Sequence, residues 1–474
     1  MDTMHSPYGT ANHPEQEPSI FTNSIKPLSP SERLHRLLYL GVQRARGRPL
    51  GAYLRCLEDW GRLDRRAFDA LRAERLARTL DYARTHVPLY RSGPWNEALA
   101  RSNPRALQAW PVLERQTIQT REVELLAQPT PPGYYYRSTS GSTGTPLRVA
   151  MDPAAAAWAW AADYHGLLWH GIQVGAQALT LRPRTVGPLG EWIRNNHLVP
   201  ATDLSPGRLT AAVRFLERGR TTYVWGYVSA VVELAKHARL MNPSRRPLVP
   251  FAKVFGEMLY PFQRELIEDG LGARVIETYG CNETGTVAYE CPAGSIHVFS
   301  DHVEVEILKD GHPAAPGEMG DILLTCTTNK VMPLIRYRVG DRARLLPDPC
   351  VCGRPHPVLS DIEGRSGDLL VTASGQQVHG TAALGGLLKR VHAKISPEAI
   401  RQVVFEQHDP GTWTVLVQPG PDFRDAVAEI LVEAVRSVFG EGCDVTVRPV
   451  PEIPREPSGK LRFYRVSTTS LVRP

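Results

Sequence analysis

The stretch TYVWGYVSAVVELAKHA, residues 222–238, sets a short apolar run directly against an apolar helical pattern. Thr222–Trp225 predicts a buried strand and Val228–Ala238 predicts a helix. The alternation continues downstream, where Ala252–Phe255 and Arg274–Thr278 predict strands with a helix over Phe262–Asp269 between them. Upstream, Ala178–Arg182 predicts a further strand. Strands alternating with helices in this way imply a layered α/β domain.

Toward the N-terminus, Ala154–Trp169 predicts a helix, preceded by strand signals at Tyr134–Arg137 and Leu147–Met151. Between Ser31 and about Arg91 the pattern is helical, with Leu34, Leu37, Leu38 and Leu40, then Leu54, Leu57 and Trp60 near helical spacing. Ser29, Pro30 and Glu32 read as a capping box with proline at the first helical position. Ahead of it, Pro7, Pro14, Pro18, Pro27 and Pro30 mark residues 1–30 as a disordered lead.

Toward the C-terminus the texture turns to β after Tyr279, with alternation at His302–Leu308, Asp321–Thr327 and Arg342–Leu346. A Gly-rich junction at Gly364–Asp368 marks a domain boundary. Beyond it Val403–Glu406, Thr414–Gln418 and Asp444–Val447 predict strands, and Ala383–Val391 and Phe423–Val438 predict helices. The expected organisation is a large layered α/β core with a β-rich subdomain over 31–363, followed by a small mobile α+β domain over 364–474.

The chain has 474 residues, 42% of them hydrophobic and 22% charged, so its core needs no disulfide or metal merely to fold. A net charge of +6 is too weak and dispersed to predict nucleic-acid binding. No apolar run approaches the roughly 18 residues of a membrane span, and the first thirty residues lack the apolar segment of a secretory signal. Seven cysteines, an odd and sparse set, predict a reducing, cytoplasmic setting.

Four stretches carry candidate chemistry. Ser138–Thr–Ser–Gly–Ser–Thr–Gly–Thr–Pro146 places glycines among hydroxyls, which suits backbone N–H groups and hydroxyls converging on a polyphosphate. No Gly-Lys-Ser/Thr follows, so this is not a Walker A loop. Tyr279–Gly–Cys–Asn–Glu283 follows a strand, where α/β sheets place ligands, and Glu283 suits Mg²⁺ beside phosphate oxygens. Asp341, after Gly340, suits ribose hydroxyls. Lys460, in Ser–Gly–Lys near the C-terminus, is a cation on a turn.

A separate set, Cys291, His297, Cys350 and Cys352, has the composition of a tetrahedral Zn²⁺ site. Cys281 is a rival ligand expected instead beside Glu283.

In this order these motifs resemble the adenylate-forming superfamily of acyl-CoA synthetases, and specifically its phenylacetate–CoA ligase branch. The resemblance runs from about Leu38 to Arg465 and includes Trp110–Glu114, Val254–Glu257, Cys291–Pro292, Pro333–Arg338 and Cys350–Arg354. It implies an ATP- and Mg²⁺-dependent ligase that converts a carboxylic acid, aromatic or hydrophobic, to an acyl-adenylate with release of pyrophosphate. The acyl group then passes to coenzyme A or, alternatively, to an amine or hydroxyl acceptor.

By resemblance Ser140, Gly141, Ser142, Thr143 and Gly144 grip the phosphates, with Thr143 counted among the catalytic residues. Gly256, Glu257, Tyr279 and Gly280 fall on the nucleotide side, Asp341 takes the ribose and Arg365 lies near the nucleotide. Lys460 neutralises charge during adenylation, and Trp225, Gly226, Tyr227 and Cys281 face the acid. Lys389, Arg390 and Lys394 are candidates for the 3′-phosphate of coenzyme A. The sequence departs from the family at Gly367, where the hinge usually carries an acid. A catalytically dead binding protein would have lost these motifs, and all are present; a homodimer is left open.

Overall fold

The structure is a computed structural model and describes residues 27–138, 147–183, 185–242, 244, 246–364, 369–396, 398–454 and 463–466. The chain forms two compact units, the larger ending at the 364–368 junction and the smaller beginning there.

The larger unit opens with α1 (Pro30–Ala45), α2 (Leu50–Trp60), α3 (Arg65–His86), α4 (Gly93–Ala100) and α5 (Arg115–Thr120). Ser29 caps α1 as its sequence specifies, since its side chain accepts from Glu32 N and Glu32 returns to Ser29 N at 2.9 Å. The packed face of α1 is His35, Tyr39 and Gln43, whereas Leu34 and Leu37 stand 50% and 71% exposed. Leucine spacing identifies the helix but not its buried side.

Next come the hairpin β1 (Tyr135–Ser138) and β2 (Arg148–Met151), then α6 (Pro153–Trp169), β3 (Ala178–Arg182), α7 (Pro188–Ile193) and β4 (Asn196–Pro200). The alternation continues with α8 (Pro206–Leu216), β5 (Tyr223–Tyr227), α9 (Val228–Met241), β6 (Phe251–Phe255), α10 (Pro261–Leu271) and β7 (Arg274–Cys281). Seven strands follow: β8 (Gly285–Glu290), β9 (Ile296–Val298), β10 (Val303–Lys309), β11 (His312–Pro313), β12 (Gly320–Cys326), β13 (Tyr337–Leu346) and β14 (Val358–Glu363).

Together they form a 12-stranded sheet in the order β11-β10-β12-β13-β14-β9-β8-β7-β6-β5-β3-β4. β4, β3, β5, β6 and β7 run parallel, and the sense reverses at the antiparallel pair β7–β8. The layered α/β core is therefore present. The sequence does not announce β8 and β9, because Val287, Ala288, Tyr289 and Glu290 are all buried and the strand loses its alternation.

The parallel sheet has two unlike faces. Val224, Ala252, Val254 and Val275 meet aliphatic residues of α8, α9 and α10. Tyr223, Trp225, Phe251 and Ile276 meet α2 and α6 instead. Gly166 of α6 carries no side chain where the Tyr289 ring of β8 lies, and a Cβ there would collide with the ring.

The smaller unit contains the hairpin β15 (Leu369–Val371) and β16 (Gln377–His379), α11 (Gly380–Lys394), β17 (Ile400–Asp409), β18 (Thr412–Pro419), α12 (Asp425–Phe439), β19 (Asp444–Pro449) and β20 (Tyr464–Val466). Its four-stranded sheet runs β19-β18-β17-β20. The buried Gln407 amide holds the β15 hairpin, donating to Val371 O at 2.6 Å and accepting from Val371 N at 3.0 Å. Among the described residues no helix is long and apolar enough to cross a membrane.

Candidate active site

Three strand ends of the larger unit gather the candidate residues. β6 ends at Phe255 and is followed by Gly256, whose φ of 75° favours glycine, and by Glu257. The Glu257 carboxylate accepts from Ser229 N at 2.7 Å and from Ser229 Oγ at 3.1 Å. It thereby caps the first turn of α9, where helix N–H groups and dipole favour an anion.

β7 ends in Tyr279, Gly280 and Cys281, and Glu283 lies in the turn to β8. Glu283 is 5% exposed and accepts from the Tyr337 hydroxyl at 3.1 Å, with the Arg115 guanidinium 3.9 Å away. The Tyr279 hydroxyl donates to Asp341 Oδ2 at 2.8 Å. Burial, and next the Asp341 charge, hold this phenol well above its ordinary range, so it stays a donor. Two tyrosines thus tie the β7 end to β13, Tyr279 reaching Asp341 and Tyr337 reaching Glu283.

Cys281 stands beside this turn, with Sγ 3.3 Å from Thr284 Oγ1. Burial and then the neighbouring Glu283 push its thiol well up. It therefore keeps its proton. Alternation along β5 puts Trp225 on the α6 face, whereas Tyr227 at the strand end packs against the α8–α10 cluster. Gly226 points away from Trp225, where a Cβ would lie 2.9 Å from Leu181 Cβ and 3.1 Å from Val231 Cγ2.

Sequence reasoning passed over His302, which is 1% exposed. Its Nε2 lies 3.0 Å from Thr284 O and its Nδ1 2.8 Å from Thr328 Oγ1. Nε2–H must donate to the carbonyl, so Nδ1 accepts from the hydroxyl and the ring is neutral. His302 therefore pins the turn that carries Glu283. No local spacing signals this, because its partners come from two other segments.

Two motifs quoted for the family resemblance also meet. Leu113 N donates to Arg336 O at 3.0 Å, and Arg336 Nη1 donates to Trp110 O at 2.7 Å. This fixes Tyr337 for its contact with Glu283. Ser140, Gly141, Ser142, Thr143, Gly144, Arg365 and Lys460 lie outside the described residues, as does Gly367. β1 and β2, paired from Tyr135↔Met151 to Ser138↔Arg148, flank the first of these segments. In the smaller unit Lys394 pairs with Glu433 at 2.9 Å.

At the other end of β8, Cys291, His297, Cys350 and Cys352 bring their donor atoms within 4.8 Å of one another. Cys352 Sγ lies 3.3 Å from His297 Nε2, and Cys291 Sγ lies 3.8 Å from Cys350 Sγ. His297 Nδ1 lies 2.9 Å from His356 O, so Nδ1 carries the hydrogen and the Nε2 lone pair faces the sulfurs. Hydrogen bonding from the Cys291 thiol draws the Cys352 thiol down toward thiolate. A donor set of three sulfurs and an oriented imidazole fits Zn²⁺. Cys281 is not among the four.

The fold is that of the adenylate-forming ligases. A 2-hydroxyisobutyryl-CoA ligase, solved in the postadenylation state with an acyl-AMP, superposes with a TM-score of 0.69 over 86% of this chain and 91% of its own, at 18% identity. In sequence the chain resembles the phenylacetate–CoA ligase branch over most of its length. It is 26% identical over 456 residues to phenylacetate-coenzyme A ligase of Thermus thermophilus, covering 84% of this chain and 96% of that protein. It is 38% identical over 114 residues to the enzyme of the same name from Escherichia coli, which is 23% of this chain and 25% of that protein. No family model matches the chain.

Proposed function

We propose that this protein activates a carboxylic acid with ATP and passes the acyl group to coenzyme A. The observation that carries the reading is the end of β7, where the sheet changes sense, held against β13 by the Tyr279–Asp341 and Tyr337–Glu283 hydrogen bonds. A carboxylate oxygen attacks the α-phosphorus of ATP, and the bond to the pyrophosphate oxygen breaks. The thiol sulfur then attacks the acyl carbonyl carbon, the bond from that carbon to the phosphate oxygen breaks and AMP leaves, and the thiol proton goes to solvent.

Attack of one anion on another needs screening of the developing charge. Asp341, with Oδ2 already engaged by Tyr279, accepts from ribose. Glu283 would hold Mg²⁺, which supplies charge neutralisation on the phosphate oxygens when bound. Of the described contacts of its buried carboxylate, the Tyr337 hydroxyl at 3.1 Å and the Arg115 guanidinium at 3.9 Å both fall on Oε1, an arrangement that suits that ion. The hydroxyl-rich segment Ser140–Gly144 is assigned to the β,γ-phosphates, with Thr143 catalytic, and Arg365 to the nucleotide. Gly256, Glu257 and Gly280 are assigned to its adenine side. Lys460 is the mobile cation of the first half-reaction, on a small domain that rotates away for the second.

Trp225, Tyr227 and Cys281 line the acid side, with Gly226 contributing backbone. Zn²⁺ at Cys291, His297, Cys350 and Cys352 is structural, since protein donors fill all four positions. All seven cysteines are free, which supports a cytoplasmic setting.

The test is acid-dependent ATP–pyrophosphate exchange, followed by product analysis with coenzyme A, amines or alcohols as acceptor. Exchange that needs an acid, and a thioester product, are expected. Exchange with only an amide or ester product would move the acceptor to an amine or hydroxyl. If Lys460→Ala spoiled acyl transfer alone and left exchange intact, the role given to Lys460 would fall.

A further inference from the structure

The parallel strands carry a polar row on the face covered by α6. Strand pairing sets Thr180 of β3 beside Trp225 of β5, and Trp225 beside Lys253 of β6. Lys253 is 1% exposed, and its ammonium pairs with Asp163 of α6. The same Asp163 oxygen accepts from Thr286 Oγ1 at 3.3 Å. Lys253 Nζ also lies 4.9 Å from the centre of the Trp225 ring and 5.5 Å from that of Tyr289.

Packing does not account for this pair. Withdrawing an ammonium and a carboxylate from water is costly, and apolar residues of similar volume often serve stability as well or better. Three further polar atoms of the layer have no hydrogen-bond partner among the described residues: Thr180 Oγ1, Trp225 Nε1 and the Tyr289 hydroxyl. Buried polar atoms are nearly always paired, so this concentration calls for a partner.

The row sits one side-chain step below the strand ends, about 6.6 Å along each strand. At the strand ends Phe255 lies 5.4 Å from Trp225 between ring centres, and Tyr227, which packs against the α8–α10 cluster, edges Phe255 at 4.9 Å. Trp225, Tyr227 and Phe255 are all only partly buried. They form an aromatic wall from the strand ends down to the polar row.

We propose that this row is the far end of the acid pocket and selects aromatic acids bearing a neutral hydrogen-bonding substituent, a hydroxyl or an amine. The inference rests on the acid-activating reading above and names its substrate class. The ring lies along Trp225 and Phe255, with Tyr227 edging Phe255 at the strand ends. The substituent meets the Trp225 N–H as acceptor and Thr180 Oγ1 as donor. Lys253 is the specificity-determining cation that orients the indole through its ring face. Its pairing with Asp163 leaves no net charge, which disfavours a second carboxylate or an ammonium at this end.

The test uses matched trios of aromatic acids, unsubstituted, methylated and hydroxylated at one ring position, in ATP–pyrophosphate exchange with the full chain. The hydroxylated acid is expected to exceed its methyl isostere by at least about tenfold in kcat/KM, because a site built to hydrogen-bond a group rejects the analogue lacking it. Lys253→Met is expected to bring that ratio close to one. The nearly isosteric Thr180→Val is expected to reduce it about threefold or more, mainly through KM. Melting curves report whether each variant folds, and Thr180→Val keeps the test standing if Lys253→Met does not. Equal kcat/KM across each trio in the unmodified protein would overturn the subsite and leave adenylation intact. Calorimetric binding of the hydroxylated acid with no exchange would overturn the adenylation reading and keep the subsite.

Discussion

β8 joins two chemically opposite ends. At Gly285 it leaves the turn that holds Glu283, where a buried carboxylate faces a tyrosine hydroxyl and, farther off, a guanidinium. At Glu290 it enters the loop that holds Cys291, where three sulfurs and an imidazole crowd together. The strand spans six residues, about 20 Å at the usual rise. Under the proposed roles, an oxygen donor that leaves coordination positions to a ligand suits turnover, whereas four protein donors that fill a metal's coordination suit permanence.

The sharpest way to break this contrast is to remove the zinc proposed for the Cys/His set. Stripping with a strong chelator is expected to lower the unfolding free energy by about 5 kcal/mol or more, against the roughly 10 or more that such sites supply to small domains. Denaturant titration with metal analysis reads this. Less than about a tenth of an equivalent of zinc in protein purified without chelator would remove the metal from the account.

At the opposite end, Glu283→Gln keeps the side-chain shape and is expected to lower adenylation by about 10²–10³-fold, the scale of losing one preorganised electrostatic group. Its melting temperature should change little. A large fall in stability with intact exchange would reverse the roles of the two ends.

The support beneath Glu283 should respond to acid. Burial pushes His302 down to about 4, with Arg75 and Arg137 also opposing its charge and Thr284 and Asp301 favouring it. The unfolded chain takes that proton near 6.5, so the stability His302 contributes is present above pH 6.5 and is lost as pH falls toward 4. The loss reaches about 3 kcal/mol at most for this residue. His302→Asn should flatten that part of the pH–stability curve, and an unaltered curve would remove His302 from the turn's support.

The smallest expected effect is at Tyr279. Tyr279→Phe frees Asp341 Oδ2 and is expected to cost about 1 kcal/mol, read as a severalfold rise in KM for ATP with kcat little changed. An unchanged KM would mean that the phenol does not position the carboxylate.

Much of this was legible beforehand where the information is local. The capping box at Ser29, the strands around 178–182, 251–255 and 274–281, and the four-residue Cys/His set each follow from near neighbours or from distinctive side-chain chemistry. β8 was not legible, because burial on both faces erases the alternation that marks a strand. Lys253 and Asp163 are 90 residues apart, and His302 reaches partners in two other segments. Pairings of that kind exist only once the layers have closed, so no spacing encodes them. The opposite orientations of Trp225 and Gly226 follow from the two-residue period of any strand.

The missing side chain at Gly166 has a reach beyond its own position. A phenol ring rests on bare helix backbone there, three residues from Asp163. Even one methyl group would wedge α6 off the sheet and draw the carboxylate from its ammonium. A change with no charge and no contact with any reactant would thus be felt as lost selectivity among acids.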